Sequence, residues 1–294
     1  MTAPILPPLG VVTLVHPCAT KLGEGPLWDS DRQRLYWVDI AAPAIWCWRW
    51  ADGAARCWTP PMRVTALALR EGGGFVAATD RGIALLDPEA GLYRIVCHPE
   101  PDRPQNRFND GKADSHGRFW AGTMDDGESQ ASGALYRIDP DLGCTRLDDG
   151  YLVTNGPAID PSGDWLYHAD SPRGLIYRFR LHPDGALSDR TTFAHFDARD
   201  GFPDGMTVDT EGGLWVAFWD GACLRRLDPG GRVTATIAMP VQRPSSCTFG
   251  GPDLDLLFVT SAHVGLSDAG SPDAGGLFMI RTGARGLPAP LFAG

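Results

Sequence analysis

The chain has no run of lysine or arginine. Its 26 basic residues are scattered and outnumbered by 36 acidic ones, giving a net charge of −10. Nucleic-acid binding needs a basic face against the phosphates, so no nucleic-acid partner is expected. No apolar stretch reaches membrane-spanning length, so no membrane partner is expected either. The opening MTAPILPPLGVVTLVHP lacks a basic segment followed by a continuous apolar one and does not read as a secretory signal. Seven cysteines (18, 47, 57, 97, 144, 223 and 247) form no C-x-x-C pair and no zinc-finger spacing with histidine. The expectation is reduced thiols in a cytoplasmic protein. The seven histidines show neither His-x-His nor His-Glu-x-x-His spacing, which argues against a histidine zinc site. There is no Gly-x-Ser-x-Gly, and no Ser or Cys has a convincing His partner, which argues against a side-chain nucleophile. A glycine-rich phosphate loop and a dinucleotide fingerprint are missing too.

What the chain does have is a repeat. Six segments align without gaps, starting at Glu24, Thr65, Asn109, Asn155, Asp204 and Ser246, with spacings of 41, 44, 46, 49 and 42 by subtraction. Four of them carry Asp five residues later, at Asp29, Asp114, Asp160 and Asp209. A period of about 45 residues signals a solenoid or a propeller. Second strands are expected at 35–40, 74–79, 118–124, 165–171, 213–219 and 256–262, and third strands at 44–50, 82–87, 133–139, 175–181, 222–228 and 276–282. These runs are β-branched, aromatic and alternating, and no helical periodicity competes with them. Fourth strands fit near 56–60, 93–98, 144–149, 191–196 and 232–239, while the sixth unit runs short. Residues 10–16 read as the strand that fills this gap and closes the ring. The expected fold is an all-β, six-bladed propeller of four-stranded blades, one domain over residues 1–294.

In a propeller the first strand of each blade lies nearest the axis. The repeated position then gathers two carboxylates, two amides and two hydroxyls, an oxygen-rich set suited to a hard divalent cation. Local turn hydrogen bonds explain an Asx residue at any one strand start, but not a polar set in one register. Glu24 and Asp204 carry formal −2 between them, and Asn155 adds a neutral carbonyl oxygen. Three protein oxygens leave positions open for water and substrate, the mark of a catalytic site. Oxygen ligands alone do not choose among Ca, Mg, Mn, Fe(II) and Zn. Arg107, on the loop entering the third blade, offers a fork of donors to substrate oxygens; the plainer reading is an ion pair with a neighbour such as Asp102. Loops 125–132, 170–174 and 263–274 are expected to rim the mouth, the last as a lid. His168 reads as a core or tunnel histidine and His263 as a rim residue.

At these motifs the chain resembles the regucalcin/gluconolactonase (senescence marker protein) family. The carrying segments are Leu22-Gly-Glu-Gly-Pro-Leu-Trp28, Arg107-Phe-Asn-Asp-Gly-Lys112 with Gly117-Arg-Phe-Trp-Ala-Gly-Thr-Met124, Thr154-Asn-Gly156 and Pro203-Asp-Gly-Met206. Pro244-Ser-Ser-Cys-Thr-Phe-Gly-Gly251, Phe258-Val-Thr-Ser-Ala262 and Ala274-Gly-Gly-Leu-Phe278 follow in order. The resemblance implies a six-bladed propeller with one functional divalent metal in the tunnel mouth. It implies Glu24, Asn155 and Asp204 as ligands, Asp204 also as general base, and Arg107 and Asn109 as substrate contacts. An acidic contact following Gly-Thr-Met in some members points to Asp126. Thr154 and Pro157 stand where Ser and Leu are frequent, and neither change threatens the metal ligands.

The implied activity is hydrolysis of aldonolactones to aldonates by a cytoplasmic monomer, with D-xylonolactone the leading candidate. Two other readings stand beside it. A phosphotriesterase-type hydrolase would use the same metal with a more apolar mouth. A non-catalytic calcium-binding or interaction propeller would fill the coordination shell and expose an apolar face.

Overall fold

In a computed structural model of the protein, which describes residues 6–267 and 272–294, the described strands form six four-stranded antiparallel sheets, one for each repeat unit. Blade one consists of Gly23–Asp29, Arg34–Asp39, Ala44–Arg49 and Ala55–Trp58. Blade two consists of Val64–Leu69, Phe75–Thr79, Gly82–Asp87 and Leu92–Cys97. Blade three runs through Asn106–Ala113, Phe119–Asp125, Gly133–Ile138 and Cys144–Tyr151, and blade four through Thr154–Ile159, Trp165–Asp170, Leu175–Leu181 and Leu187–His195. Blade five holds Phe202–Val208, Leu214–Trp219, Cys223–Leu227 and Val233–Ala238. Blade six has only three strands from its own unit, Pro244–Gly250, Leu256–Ser261 and Leu277–Arg281; its outermost strand is Val12–His16 from the other end of the chain. The innermost strands touch in sequence around the ring, and blade six returns to blade one. The six-bladed propeller with N-terminal closure is the fold the repeat predicts.

Strand ends fall within a few residues of expectation except in blade four. There the outer strand starts at Leu187 rather than near 191, because Leu187 pairs with Leu181 across the turn at 182–186. The expected lid at 263–274 lies partly outside the described residues. Among those described, no helix is long and apolar enough to cross a membrane.

The apolar core divides into six clusters, one at each blade–blade interface. At the closing seam Trp28 of blade one stacks on Phe258 of blade six, with ring centroids 5.6 Å apart. Innermost strands are buried along nearly their whole length, whereas outer strands such as Val233–Ala238 alternate with solvent. This gradient is what a wedge-shaped stack around an axis requires.

The recurring Asp has a structural task at the end of the ring away from the mouth. Asp114 accepts hydrogen bonds from the His116 and Arg118 backbones, the Arg118 guanidinium and the Trp120 indole. Asp209 repeats this with Gly213, Arg226 and Trp215. Each locks the turn from the first strand to the second. Residues 285–294 then cross this same end. Thr210 N–H donates to Arg285 O and Gly286 N–H to Leu254 O; Phe292 pairs with Leu69 and Glu71, and Ala293 N–H reaches Gly117 O. This strap lines a cavity of about 760 Å³ with Leu27, Leu67, His116 and Phe249.

The turn locks differ in burial, which orders their expected strength. The Asp114–Arg118 pair is nearly enclosed, with side chains 1% and 6% exposed, whereas Arg32 opposite Asp29 is 59% exposed. Asp114→Ala strands a buried cation and is expected to cost about 3–5 kcal/mol of unfolding free energy. Asp29→Ala should cost about 1 kcal/mol, since Arg32 turns to water. Urea unfolding of both variants checks this; equal losses would contradict it.

Candidate functional site

Glu24, Thr65, Asn109, Asn155, Asp204 and Ser246 all lie on innermost strands and all are buried. A register shift falls at or beside each of them in its pairing with the second strand. A bulge re-aims side chains and bends the strand, so the repeat encodes one bulge per blade at the axial end. Glycines serve these bulges. Gly156, after Asn155, sits at φ +77°, where a side chain is strained. Gly205, after Asp204, lies so close to Ser246 that an added Cβ would collide with its hydroxyl. Blades five and six approach this closely only because that position is glycine.

The sequence-expected residues of blades three and four are joined by hydrogen bonds. Arg107 Nη1 donates to Asn109 Oδ1 at 2.7 Å. Asn109 Nδ2 donates to Thr154 O at 2.7 Å and to Asn155 Oδ1 at 3.0 Å. Asn155 Nδ2 donates to Ser171 Oγ at 2.8 Å, and Ser171 Oγ to Pro203 O at 2.6 Å, one residue before Asp204. Both amide hydrogens of Asn109 are therefore in use, and any further contact it makes is as an acceptor. Arg107 does form an ion pair, but it is a buried residue and its partner is Asp126 at 2.6 Å, not Asp102. The same Asp126 carboxylate accepts both terminal nitrogens of Arg63, at 3.1 and 2.9 Å, and stays 40% exposed. Arg107 Nη2 makes no hydrogen bond among the described residues.

Three residues of this region escaped the sequence reading. Asp110 is buried and accepts the Gly111 and Gly156 N–H groups at 2.7 and 3.0 Å. Lys112 reaches across the axis from blade three to donate to Met206 O at 2.8 Å. Ser171 follows the second strand of blade four. The Asn109-Asp110-Gly111-Lys112 segment was the available signal for the first two; Ser171 lies in the loop 170–174 expected to rim the mouth, with no role assigned to it. His168 belongs to the core: fully buried, edge-on to Tyr151 at 4.9 Å, its proton affinity lowered to a pKa of about 3 by burial and Arg190. His263 begins the rim segment, its backbone N–H bonded to Thr20 O and Lys21 O.

The axial carboxylates are electrostatically unfavourable as they stand. Burial, then the charge of Asp110, pushes Glu24 up to about 8, against the Gly25 N–H and the field of Arg107. Burial and the charges of Glu24 and Asp110 raise Asp204 well above the usual carboxylate range. Burial lifts Asp110 too, partly offset by Lys112. No ion pair among the described residues holds Glu24 or Asp204. No three His, Cys, Asp or Glu groups among the described residues are arranged to hold a metal, so any ligand set here must draw on other oxygens as well.

Residues 22–263 match the family described as SMP-30/Gluconolactonase/LRE-like region. The chain belongs to this family. Among its curated relatives, 6-deoxy-6-sulfogluconolactonase of Pseudomonas putida is 36% identical over 277 residues, covering 93% of this chain and 95% of that one. L-arabinolactonase of Azospirillum brasilense is 35% identical over 295 residues, covering 98% and 97%. In structure the chain is similar to regucalcin of Agrobacterium tumefaciens, described as a calcium-binding protein, with a TM-score of 0.91, 27% identity and coverage of 95% and 96%. The expected enzyme class, lactonase, is the class for which these two relatives are named.

The buried carboxylates make stability depend on pH in a defined direction. A carboxyl whose proton affinity is higher folded than unfolded takes up protons on folding, and stability falls as pH rises between the two values. For Glu24 that window runs from about 4.5 to about 8. Protein held free of divalent ions should therefore lose stability across this range. Glu24→Gln, which cannot ionise, should be more stable than wild type at pH 8 by about 2–5 kcal/mol. Denaturant titrations at several pH values measure it, and parallel curves for the two proteins would show that Glu24 is not the source.

Proposed function

We propose that this protein is a divalent-metal-dependent lactonase that opens aldonolactones to aldonates, with D-xylonolactone the first substrate to test. What supports the reading most is the joined set Arg107–Asn109–Asn155 beside two buried, uncompensated carboxylates, in a chain whose relatives are named for two sugar lactones. The donor set fits a hard cation: two carboxylates whose proton affinity burial and neighbouring negative charge raise, and one amide oxygen oriented by its neighbours. Glu24, Asn155 and Asp204 would hold it. When bound, such an ion supplies Lewis acidity toward the lactone carbonyl and lowers the pKa of water.

The chain's own residues do the rest. Arg107 offers Nη2 to a substrate oxygen, while its other nitrogens stay committed to Asp126, Phe108 O and Asn109. Asn109 Oδ1 and the exposed side of Asp126 accept hydrogen bonds from sugar hydroxyls. Asp204, as carboxylate, takes the proton of the attacking water. The new C–O bond forms at the lactone carbonyl, the ring C–O bond breaks, and the proton returns to the departing ring oxygen. We also take residues 1–294 as one domain, acting as a cytoplasmic monomer. A calcium-binding role without catalysis is the second reading, favoured by the description of the Agrobacterium tumefaciens structure. Acid release on a lactone panel, with an organophosphate panel beside it and uncatalysed hydrolysis subtracted, separates these readings; inactivity on every lactone would sink the first.

Prolonged chelation should abolish most of the catalysed ring opening, and a returned divalent ion should restore it. Glu24→Ala, Asn155→Ala and Asp204→Ala should each weaken metal binding sharply, with the far-ultraviolet β spectrum unchanged. Full activity in metal-free protein, or wild-type metal affinity in all three variants, would refute the assignment. Arg107→Ala should lower kcat/KM on the best lactone by about 10- to 100-fold while metal affinity holds. Arg107→Lys should recover only part, because an ammonium has no planar fork. Steady-state kinetics beside metal titration decide this, and normal kinetics would make Arg107 a structural ion-pair residue.

A further inference from the structure

An asparagine carboxamide has two ends of nearly equal shape, and only its hydrogen-bond partners decide which one faces a ligand. At Asn155 the decision is made from two sides. On one side Asn109 presents an N–H, because its own Oδ1 is occupied by Arg107 Nη1 at 2.7 Å. On the other side stands Ser171. A serine hydroxyl has one hydrogen, and Ser171 directs it to Pro203 O at 2.6 Å. A backbone carbonyl oxygen only accepts, so that contact can run in one direction only. The hydroxyl therefore meets Asn155 with a lone pair, and only the amide N–H₂ end can face it, at 2.8 Å. Oδ1 is thereby turned toward Asn109.

Ser171 is itself held firmly. Its backbone N–H donates to Val153 O and its C=O accepts from Gly174 N–H, closing the short 3-10 turn Ser171–Arg173. The preceding Asp170 accepts from the Leu152 and Val153 backbones and pairs with Arg173 at 2.6 Å. Ser171 and Asn155 are 7% and 4% exposed, so neither partner has water as an easy substitute. The bond to Pro203 O also reaches blade five, one residue before Asp204. One hydroxyl thus touches the side chain expected to coordinate from blade four and the backbone that carries the next expected ligand from blade five.

We propose that Ser171 is a positioning residue of this site: it fixes the orientation of the Asn155 carboxamide and ties that amide to the strand bearing Asp204. The part of this proposal that concerns metal affinity rests on the lactonase reading above; the orientation of the amide does not. Without the hydroxyl, the amide loses one of its two orienting contacts and its N–H₂ end is left buried and unpaired. It then flips or tilts, and the axis receives a donor where it needs an acceptor.

The test uses the full chain. Manganese(II) binding is measured by titration calorimetry on wild type, Ser171→Ala, Asn155→Ala and the double variant, with the Asn155 side-chain amide signals followed by NMR in asparagine-labelled protein. Those signals are identified by their loss in Asn155→Ala. Ser171→Ala should weaken manganese binding by about 10-fold or more, and the double variant should bind no worse than Asn155→Ala alone. The amide signals should shift in Ser171→Ala, and Ser171→Thr, which keeps the hydroxyl, should restore both signals and affinity. Wild-type manganese affinity in Ser171→Ala overturns the proposal. So does an equal further loss in the Asn155→Ala background, which would mark a general effect on the fold. If wild type binds no manganese, the metal reading fails, and the amide signals still decide the orientation: unchanged signals in Ser171→Ala overturn it.

Discussion

Two carboxylates on one axis, both raised in proton affinity by burial and by neighbouring carboxylates, are the constraint around which this end of the ring is organised. Like charges in a poorly solvated place repel, and a fold that merely packed well would not keep them. Here the backbone holds them regardless. Each comes from a different blade, at a bulge whose geometry the surrounding sheet over-determines. The neighbouring polar groups answer to that arrangement: Asp110 braces the Gly156 backbone, Lys112 brings a positive charge in from below, and Arg107 is positioned through Asp126 and Asn109. The strain is local and electrostatic, and a bound cation is what would relieve it.

The fold was legible in the sequence because every blade needs the same innermost strand, and that need recurs as a period. The Asp five residues along belonged to the same rhythm, although its task was visible only once Trp120 and Trp215 were seen donating to Asp114 and Asp209. The axial set was legible for the same reason. Asp110 was not, and the cause is physical. Strand side chains alternate between faces, so a reader who places Asn109 toward the axis places Asp110 away from it. The register shift between Phe108 and Gly111 breaks the alternation, and both residues bond into blade four. Ser171 lay beyond reach because it meets the site only through hydrogen bonds to Asn155 and to Pro203 O, pairings across blades that no local pattern encodes. The C-terminal strap carries Pro288 and Pro290 and gives no strand pattern, so its path across the ring had no local signal.

The relatives bear names of different sugar lactones while sharing about a third of their residues with this chain. The chemistry accounts for such variety. The reacting carbonyl and ring oxygen are common to all aldonolactones, and in the proposed reading the axial residues serve that common part. Differences between sugars lie further out along the carbon chain, where hydroxyl stereochemistry or a charged tail must be read. In this protein the outward groups include Asp126, held by Arg63 from blade two and Arg107 from blade three. A carboxylate gripped by two arginines is a fixed acceptor, unlike a free side chain that adapts to any hydroxyl.

The closing strand also sets the order in which the molecule is completed. Val12 pairs with Ile280, so the sixth blade joins a segment made before the other five blades with one made after them. Until residue 281 has emerged, the strand Val12–His16 has no partner and the seam at Trp28 and Phe258 stays open to solvent. Blades one to five can form as they appear, because their pairings are between consecutive strands. The ring as a whole cannot close early. The nascent chain must therefore carry an exposed sheet edge and an aromatic surface until the sixth blade is made, the condition under which chaperone contact and intermolecular strand pairing compete with folding.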